Sequence, residues 1–193
     1  MPVNANDPRA KRTHDLLIRS FQELLEETND VYAISVQDIT KRASVNRATF
    51  YDHFDDKYAF LEQWMRFKFK QTLESELKDA SILDMNGLHT LILAVYRFLD
   101  RFRRNFAPAN GRFEPLFEAA MQKELFNLLI QWLSEVSDSE VAGEVLNATA
   151  ICVSWSIFGS ALQWSRQPEN RSMESSARNV MIVIAASLAP VVE

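Results

Sequence analysis

Apolar residues recur three or four positions apart along nearly the whole chain, the spacing of helices that bury one face and wet the other. The first such stretch opens on Asp7, an N-cap, with Pro8 at the first helical position, where its missing N–H leaves nothing unsatisfied. Leu17, Phe21 and Leu24, flanked by Leu16 and Leu25, form its buried stripe, and residues 26–30 end it in a polar turn. The run 34–57, ISVQDITKRASVNRATFYDHFDDK, then predicts two short helices at a steep angle. Ser35 with Asp38 three residues later is a weaker form of the capping box, so a helix starts at Ser35, buries Val36, Ile39 and Ala43, and stops near Ala43. Ser44, Val45 and Asn46 connect it to a second helix, 47–53, capped by Asn46 and anchored by Phe50 and Phe54. That helix is too short to stand alone. A third opens at Asp55 with Lys57 in its first turn and runs to about Lys78, with Tyr58, Leu61, Met65, Phe69, Leu73 and Leu77 approximating a stripe.

Beyond a turn at 83–87, Leu88, Leu91, Val95, Phe98 and Phe102 mark the next helix, which ends in Arg101, Arg103 and Arg104. Those cations suit a helix C-terminus and solvent. The segment APANGR, 107–112, is the strongest loop signal, and a long helix follows over 113–136. Ser137 and Glu140 predict a capping box for a helix reaching about Trp164, broken by Gln167 and Pro168, and Ser172 caps the last helix. Few breakers interrupt this series, since only four glycines and six prolines occur in 193 residues, of which 47% are hydrophobic. The fold class is therefore all-α, with ample core-forming material.

The exposed face of the 47–53 helix carries Arg47, Ala48, Thr49 and Tyr51, a donor-rich set of a size to enter a major groove. Arg47 is the candidate base reader, because its fork pairs bidentately with guanine O6 and N7. Gln37 reaches an adjacent base or phosphate, and Tyr51 offers its ring to the sugar-phosphate edge and its hydroxyl to a phosphate or base. Thr49 and His53 are positioning contacts to the backbone. Lys57 lies where a helix N-terminus already favours an anion. Ser35 and Asn46 complete the DNA-facing set as caps. Charge gives this reading no support: the total is −5, and residues 1–57 hold eight Lys or Arg against ten Asp or Glu, net −2. A basic domain is the usual electrostatic footprint of DNA binding. Affinity would have to come from placement of Arg9, Lys11, Arg12, Lys41, Arg42, Arg47 and Lys57.

The run 34–57, and in particular its T-F-Y-x-H-F-x-x-K core, resembles the DNA-binding motif of the TetR/AcrR family of transcriptional regulators. The likeness implies an N-terminal three-helix helix-turn-helix domain, 1–57, joined to a C-terminal helical ligand-sensing and dimerisation domain, 58–193. It further implies a homodimer on double-stranded DNA with a near-palindromic operator, and a small-molecule effector that lowers DNA affinity. One departure stands out. The family usually has glycine in the turn, where this chain has Ser44, at a cost of roughly 1–2 kcal/mol if the backbone there is left-handed.

In the C-terminal part, Trp64, Phe98, Phe102, Phe106, Phe117, Met121 and Phe126 are candidates for lining an apolar ligand cavity, although aromatics at helical spacing more often pack a core. Cys152, Ser156 and Gly159 lie along a side of small residues that permits close helix approach, and the last helix is apolar nearly all round over 180–188, including Val180, Ile184 and Leu188. A second copy of the chain is the expected cover for both. One cysteine, Cys152, excludes an intrachain disulfide and a cysteine-rich metal site, and no cofactor motif is present. His14, His53 and His89 are scattered and no phosphate-binding glycine loop occurs, so an enzyme is not expected. The N-terminus has no signal-peptide core and the longest apolar run, 181–186, is too short to span a bilayer, which predicts a cytoplasmic protein without membrane contact. The competing expectation, motivated by the acidic reader, is an interaction or ligand-binding module of the same fold that has lost DNA binding.

Overall fold

The computed structural model describes residues 7–78, 84–106, 114–137, 142–168 and 171–192. Among these residues the regular elements are all α-helices: α1 Pro8–Thr28, α2 Val36–Arg42, α3 Arg47–His53, α4 Lys57–Glu76, α5 Met85–Phe106, α6 Glu114–Val136, α7 Gly143–Arg166 and α8 Met173–Val192. The chain divides into two compact units, Met1–Trp64 and Met65–Glu193, with the division inside α4.

In the N-terminal unit the caps are those the sequence predicts. Asp7 accepts the Arg9 N–H at 2.8 Å, and the Ser35/Asp38 box is closed in both directions, Asp38 N–H to Ser35 Oγ at 3.2 Å and Ser35 N–H to Asp38 Oδ2 at 2.9 Å. Asn46 Oδ1 accepts the Ala48 N–H at 3.0 Å. The third helix begins slightly later than expected: Asp56, not Asp55, caps it, taking the Ala59 N–H at 2.8 Å. The buried stripe of α1 is Leu17, Ile18 and Phe21, and Leu24 is only half-buried. Phe21 meets Phe60 at 5.3 Å between ring centroids, Phe60 meets Phe54 at 4.9 Å, and Phe54 meets Phe50 at 5.2 Å. These aromatics are buried together in the core of the unit, each with a large apolar surface. They are also why the seven-residue α3 exists, since tertiary packing replaces the propagation length that an isolated helix needs.

The turn between α2 and α3 is a Schellman motif. Ser44 N–H donates to Lys41 O at 3.2 Å and Val45 N–H to Thr40 O at 3.0 Å, with Ser44 at φ 54°. The position is left-handed, so the non-glycine residue is strained there.

In the C-terminal unit α7 packs on α5, α6 and α8, and α5 also packs on α8. Leu88, Leu91, Val95, Phe98 and Phe102 are all buried on α5. Ion pairs stitch its surface: Arg66 to Glu124 at 2.6 Å, Arg97 and Arg101 to Glu76 at 3.0 and 3.7 Å, Arg104 to Asp100 at 2.7 Å and Arg166 to Glu118 at 3.3 Å. Two boundaries differ from expectation. Asp84 caps α5 by accepting the Asn86 N–H at 3.0 Å, so Gly87 falls in the helix and not in a turn. α7 begins at Gly143 after Ala142, which makes no side-chain cap, so the Ser137/Glu140 box does not start it; Glu140, Leu83 and the loop 107–112 lie outside the described residues. α8 keeps its cap, with the Ser175 N–H on Ser172 Oγ at 3.2 Å. Among the described residues α7 alone is long and apolar enough to cross a membrane, and 44% of that stretch is buried within the fold, as suits the central helix of its unit.

Candidate nucleic-acid interface

Phe50 and Phe54, 0% and 2% exposed, hold α3 by one side and thereby fix which of its residues face solvent. Arg47, Ala48 and Tyr51 are exposed, and Thr49 and His53 are half-buried. Arg47 Nη2 donates to the Tyr51 hydroxyl at 3.1 Å, and its guanidinium carbon lies 5.6 Å from the Tyr51 ring centroid. The pair stiffens two long side chains at one turn's separation, which lowers the entropy lost when either meets a ligand. Gln37 on α2 is exposed. The Ser35 hydroxyl is engaged in its capping box, donating to Asp38 Oδ2 at 2.6 Å. The Ser35 hydroxyl and backbone N–H together hold the Asp38 carboxyl below its usual range.

Two cations of the expected set are committed within the unit. Lys57 Nζ donates to the carbonyls of Val31 at 3.2 Å and Tyr32 at 3.4 Å, and burial pushes its pKa down against the pull of Asp30 and Asp38. It pins the start of α4 to the turn before α2. Arg42 reaches back to α1, 2.8 Å from Glu27 and 3.3 Å from Glu23. Arg9, Lys11, Arg12 and Lys41 are exposed. His14, part-exposed, packs against Phe54 at 5.3 Å and lies 6.5 Å from the His53 ring. These two histidines, with Lys11, Asp15, Asp52 and Gln63, line a cleft of about 500 Å³. Asp52 thus faces this cleft.

In the C-terminal unit the ring candidates are packed against each other. Phe102 meets Phe117 at 5.5 Å and Phe98 meets Phe69 at 4.9 Å; Met121 is 0% exposed and Phe126 is half-buried. Trp64 belongs to the N-terminal unit, where its ring lies 5.0 Å from Phe21, and the Phe106 side chain lies outside the described residues. A cavity of about 430 Å³ opens elsewhere, against Tyr96, Trp164 and Val180, and none of the seven expected residues lines it. Of the residues expected to pair two copies, Cys152 and Ser156 are exposed, Gly159 and Val180 are half-buried, and Ile184 and Leu188 are covered within the protomer. On α7 and α8 the exposed large apolar residues are Val145, Ile151 and Trp155 on α7 with Ile182 and Val183 on α8, the last two 62% and 63% exposed.

These features define a helical protein with an N-terminal helix-turn-helix. Residues 25–63 match the family described as bacterial regulatory proteins, tetR family. The uncharacterized HTH-type transcriptional regulator YxbF of Bacillus subtilis (strain 168) is 39% identical over 56 residues, which are 29% of this chain and 15% of that protein. The HTH-type transcriptional repressor DhaR of Mycobacterium sp. (strain GP1) is 28% identical over 132 residues, 64% of this chain and 66% of that one. The crystal structure of the TetR family repressor AlkX from Dietzia sp. strain DQ12-45-1b shares the fold with a TM-score of 0.68 at 18% identity, covering 92% of this chain and 98% of that one. Residues 25–63 thus carry a helix-turn-helix of the tetR family of bacterial regulatory proteins, and the described chain shares the fold of AlkX.

Proposed function

We propose that this protein is a ligand-responsive repressor that binds a near-palindromic operator as a homodimer, in the cytoplasm, and releases it when a small molecule occupies the C-terminal unit. The observation that carries this is α3: a solvent-facing row of Arg47, Ala48 and Tyr51, held outward by two buried phenylalanines and preceded by a helix-turn-helix turn. The repressor named DhaR and the repressor AlkX, implicated in biodegradation of n-alkanes, lend the reading support by family. A dimer is supported by the open apolar surface of α7 and α8, and by Gly159, where an added Cβ would meet nothing within 4 Å in the protomer. Glycine there answers no need of this chain alone. Symmetric pairing would set two α3 helices against half-sites about one helical turn apart.

The test is fluorescence anisotropy with DNA from upstream of the protein's own coding region. Parent protein binds, and Arg47→Ala weakens binding roughly 10- to 100-fold, the range for a bidentate base contact. Equal binding by Arg47→Ala rejects the base contact. No binding by the parent favours the second reading, an interaction module without DNA affinity. That reading draws on the net −2 of residues 1–57 and the internal commitment of Arg42 and Lys57.

A further inference from the structure

The cavity of about 430 Å³ in the C-terminal unit falls within the size range of small-molecule sites and is built from the end of α7, the start of α8 and one buried ring of α5. Its apolar walls are Tyr96, Trp164 and Val180, and the two rings meet at 5.8 Å between centroids with 43° between planes. Gln163, Asn179 and Arg171 also line the cavity. Among the described residues the lining holds that one cation and no carboxylate. In so acidic a chain, a cation among the described lining residues is a selective feature, because it attracts an anion entering the site.

Two contacts set the site in advance. The Trp164 Nε1–H donates to the Arg171 carbonyl at 2.8 Å, which ties the segment carrying the cation to the last turn of α7. Tyr96, 1% exposed, is hydrogen-bonded to Ser160, whose own hydroxyl donates to Ser156 O at 2.6 Å. Burial pushes the Tyr96 phenol above its usual range, so it stays neutral and adds no negative charge. A ligand suited to these walls offers a flat apolar body to the Trp164 ring and one anionic group to Arg171, whose guanidinium pairs bidentately with a carboxylate.

We propose that this cavity is a binding site for a small aromatic carboxylate, seated against the Trp164 ring with its carboxylate on Arg171. That such a ligand is the effector rests on the repressor reading above; that it binds does not.

The full-length chain is titrated with salicylate and with its neutral counterpart salicylamide, followed by calorimetry. Salicylate is expected to bind saturably and salicylamide roughly tenfold or more weakly, the scale of a charge-assisted pair. Arg171→Gln, an exposed substitution, is expected to remove the preference by weakening salicylate alone, and Val180→Trp to abolish both by filling the cavity. No saturable binding of salicylate at millimolar concentration, equal affinity for the two probes, or unchanged salicylate affinity in Arg171→Gln overturns the assignment. In a parallel anisotropy titration, salicylate that binds with the expected Arg171 dependence yet leaves DNA affinity unchanged upholds the site and counts against the ligand-responsive reading only. DNA release that persists in Arg171→Gln places the effector elsewhere and overturns it.

Discussion

Ser44 offers a measurement of strain built into the DNA-reading turn. At φ 54° its Cβ crowds the following carbonyl, a conflict worth roughly 1–2 kcal/mol for an L-residue. Glycine removes the conflict but adds freedom to the unfolded chain worth roughly 0.5–1 kcal/mol. The net expectation for Ser44→Gly is a gain of about 1 kcal/mol, or about 2–4 °C in Tm for a chain of this length. Ser44→Ala keeps the Cβ and is the reference. Asn29, at φ 52° after α1, supplies an internal control, because asparagine enters the left-handed region more readily than other residues and should gain less from glycine. Urea denaturation at fixed pH reads all three. The two Schellman hydrogen bonds, from Ser44 N–H and Val45 N–H, are backbone bonds and survive each substitution, so the comparison isolates the Cβ. If Ser44→Gly is no more stable than Ser44→Ala, residue 44 does not hold a positive φ in solution and the motif assignment is wrong.

Lys57→Met keeps the aliphatic stem but leaves the Val31 and Tyr32 carbonyls without their donor, and is expected to cost roughly 1–3 kcal/mol in urea denaturation; a neutral result would mean that the ammonium serves DNA and not the turn. Lys41→Gln should reduce the slope of log affinity against log salt by about 0.9 per protomer, while Arg42→Gln, already paired with Glu23 and Glu27, leaves it unchanged; equal slopes for the two variants would refute the distinction. His53 is held below its usual range by burial first and by neighbouring His14 second, with Asp52 opposing. The unfolded histidine therefore takes its proton at higher pH than the folded one, and stability falls as pH drops from about 6.5 toward the lower folded value. His53→Gln should flatten that part of the urea-midpoint profile, and a parent profile that rises on acidification would overturn the sign.

What the sequence made legible was local. Asp7, Ser35 with Asp38, and Asn46 satisfy N–H groups two or three residues away, so their roles follow from spacing alone. Phe50 and Phe54 were identifiable as anchors because they are the large, wholly apolar side chains of α3 and its C-cap. The destinations of Arg42 and Lys57 were not legible, since their partners lie 15 and 26 residues upstream and no periodicity distinguishes a cation aimed at phosphate from one aimed at a carboxylate or carbonyl. The paired face of α8 was hidden for the opposite reason. A helix apolar all round carries no phase, so Ile184 and Leu188 could not be told from Ile182 and Val183 until the packing on α5 and α7 put the first pair inside. The cavity at Tyr96 and Trp164 depends on how three helices meet, and the only trace of it in the sequence is the polar spacing Ser160, Gln163, Gln167 at the end of an otherwise apolar helix.

The acidic balance of the reader and the proposed dimer bear on one another. With Arg42 and Lys57 satisfied internally, each unit has Arg9, Lys11, Arg12, Arg19, Lys41 and Arg47 left, against an excess of carboxylates on the same 57 residues. Long-range attraction to DNA is then weak, and binding depends on contacts made at short range in one orientation. A single seven-residue helix with one bidentate arginine offers little discrimination by itself. Joining two readers makes the second engagement intramolecular, raising affinity without any further contact, provided that the spacing matches the half-sites. A reader poor in charge therefore makes operator binding unusually sensitive to the distance between its two copies. On the proposed function, that sensitivity is what a ligand in the C-terminal unit would exploit: it would need only to favour a dimer whose readers no longer match the operator's spacing.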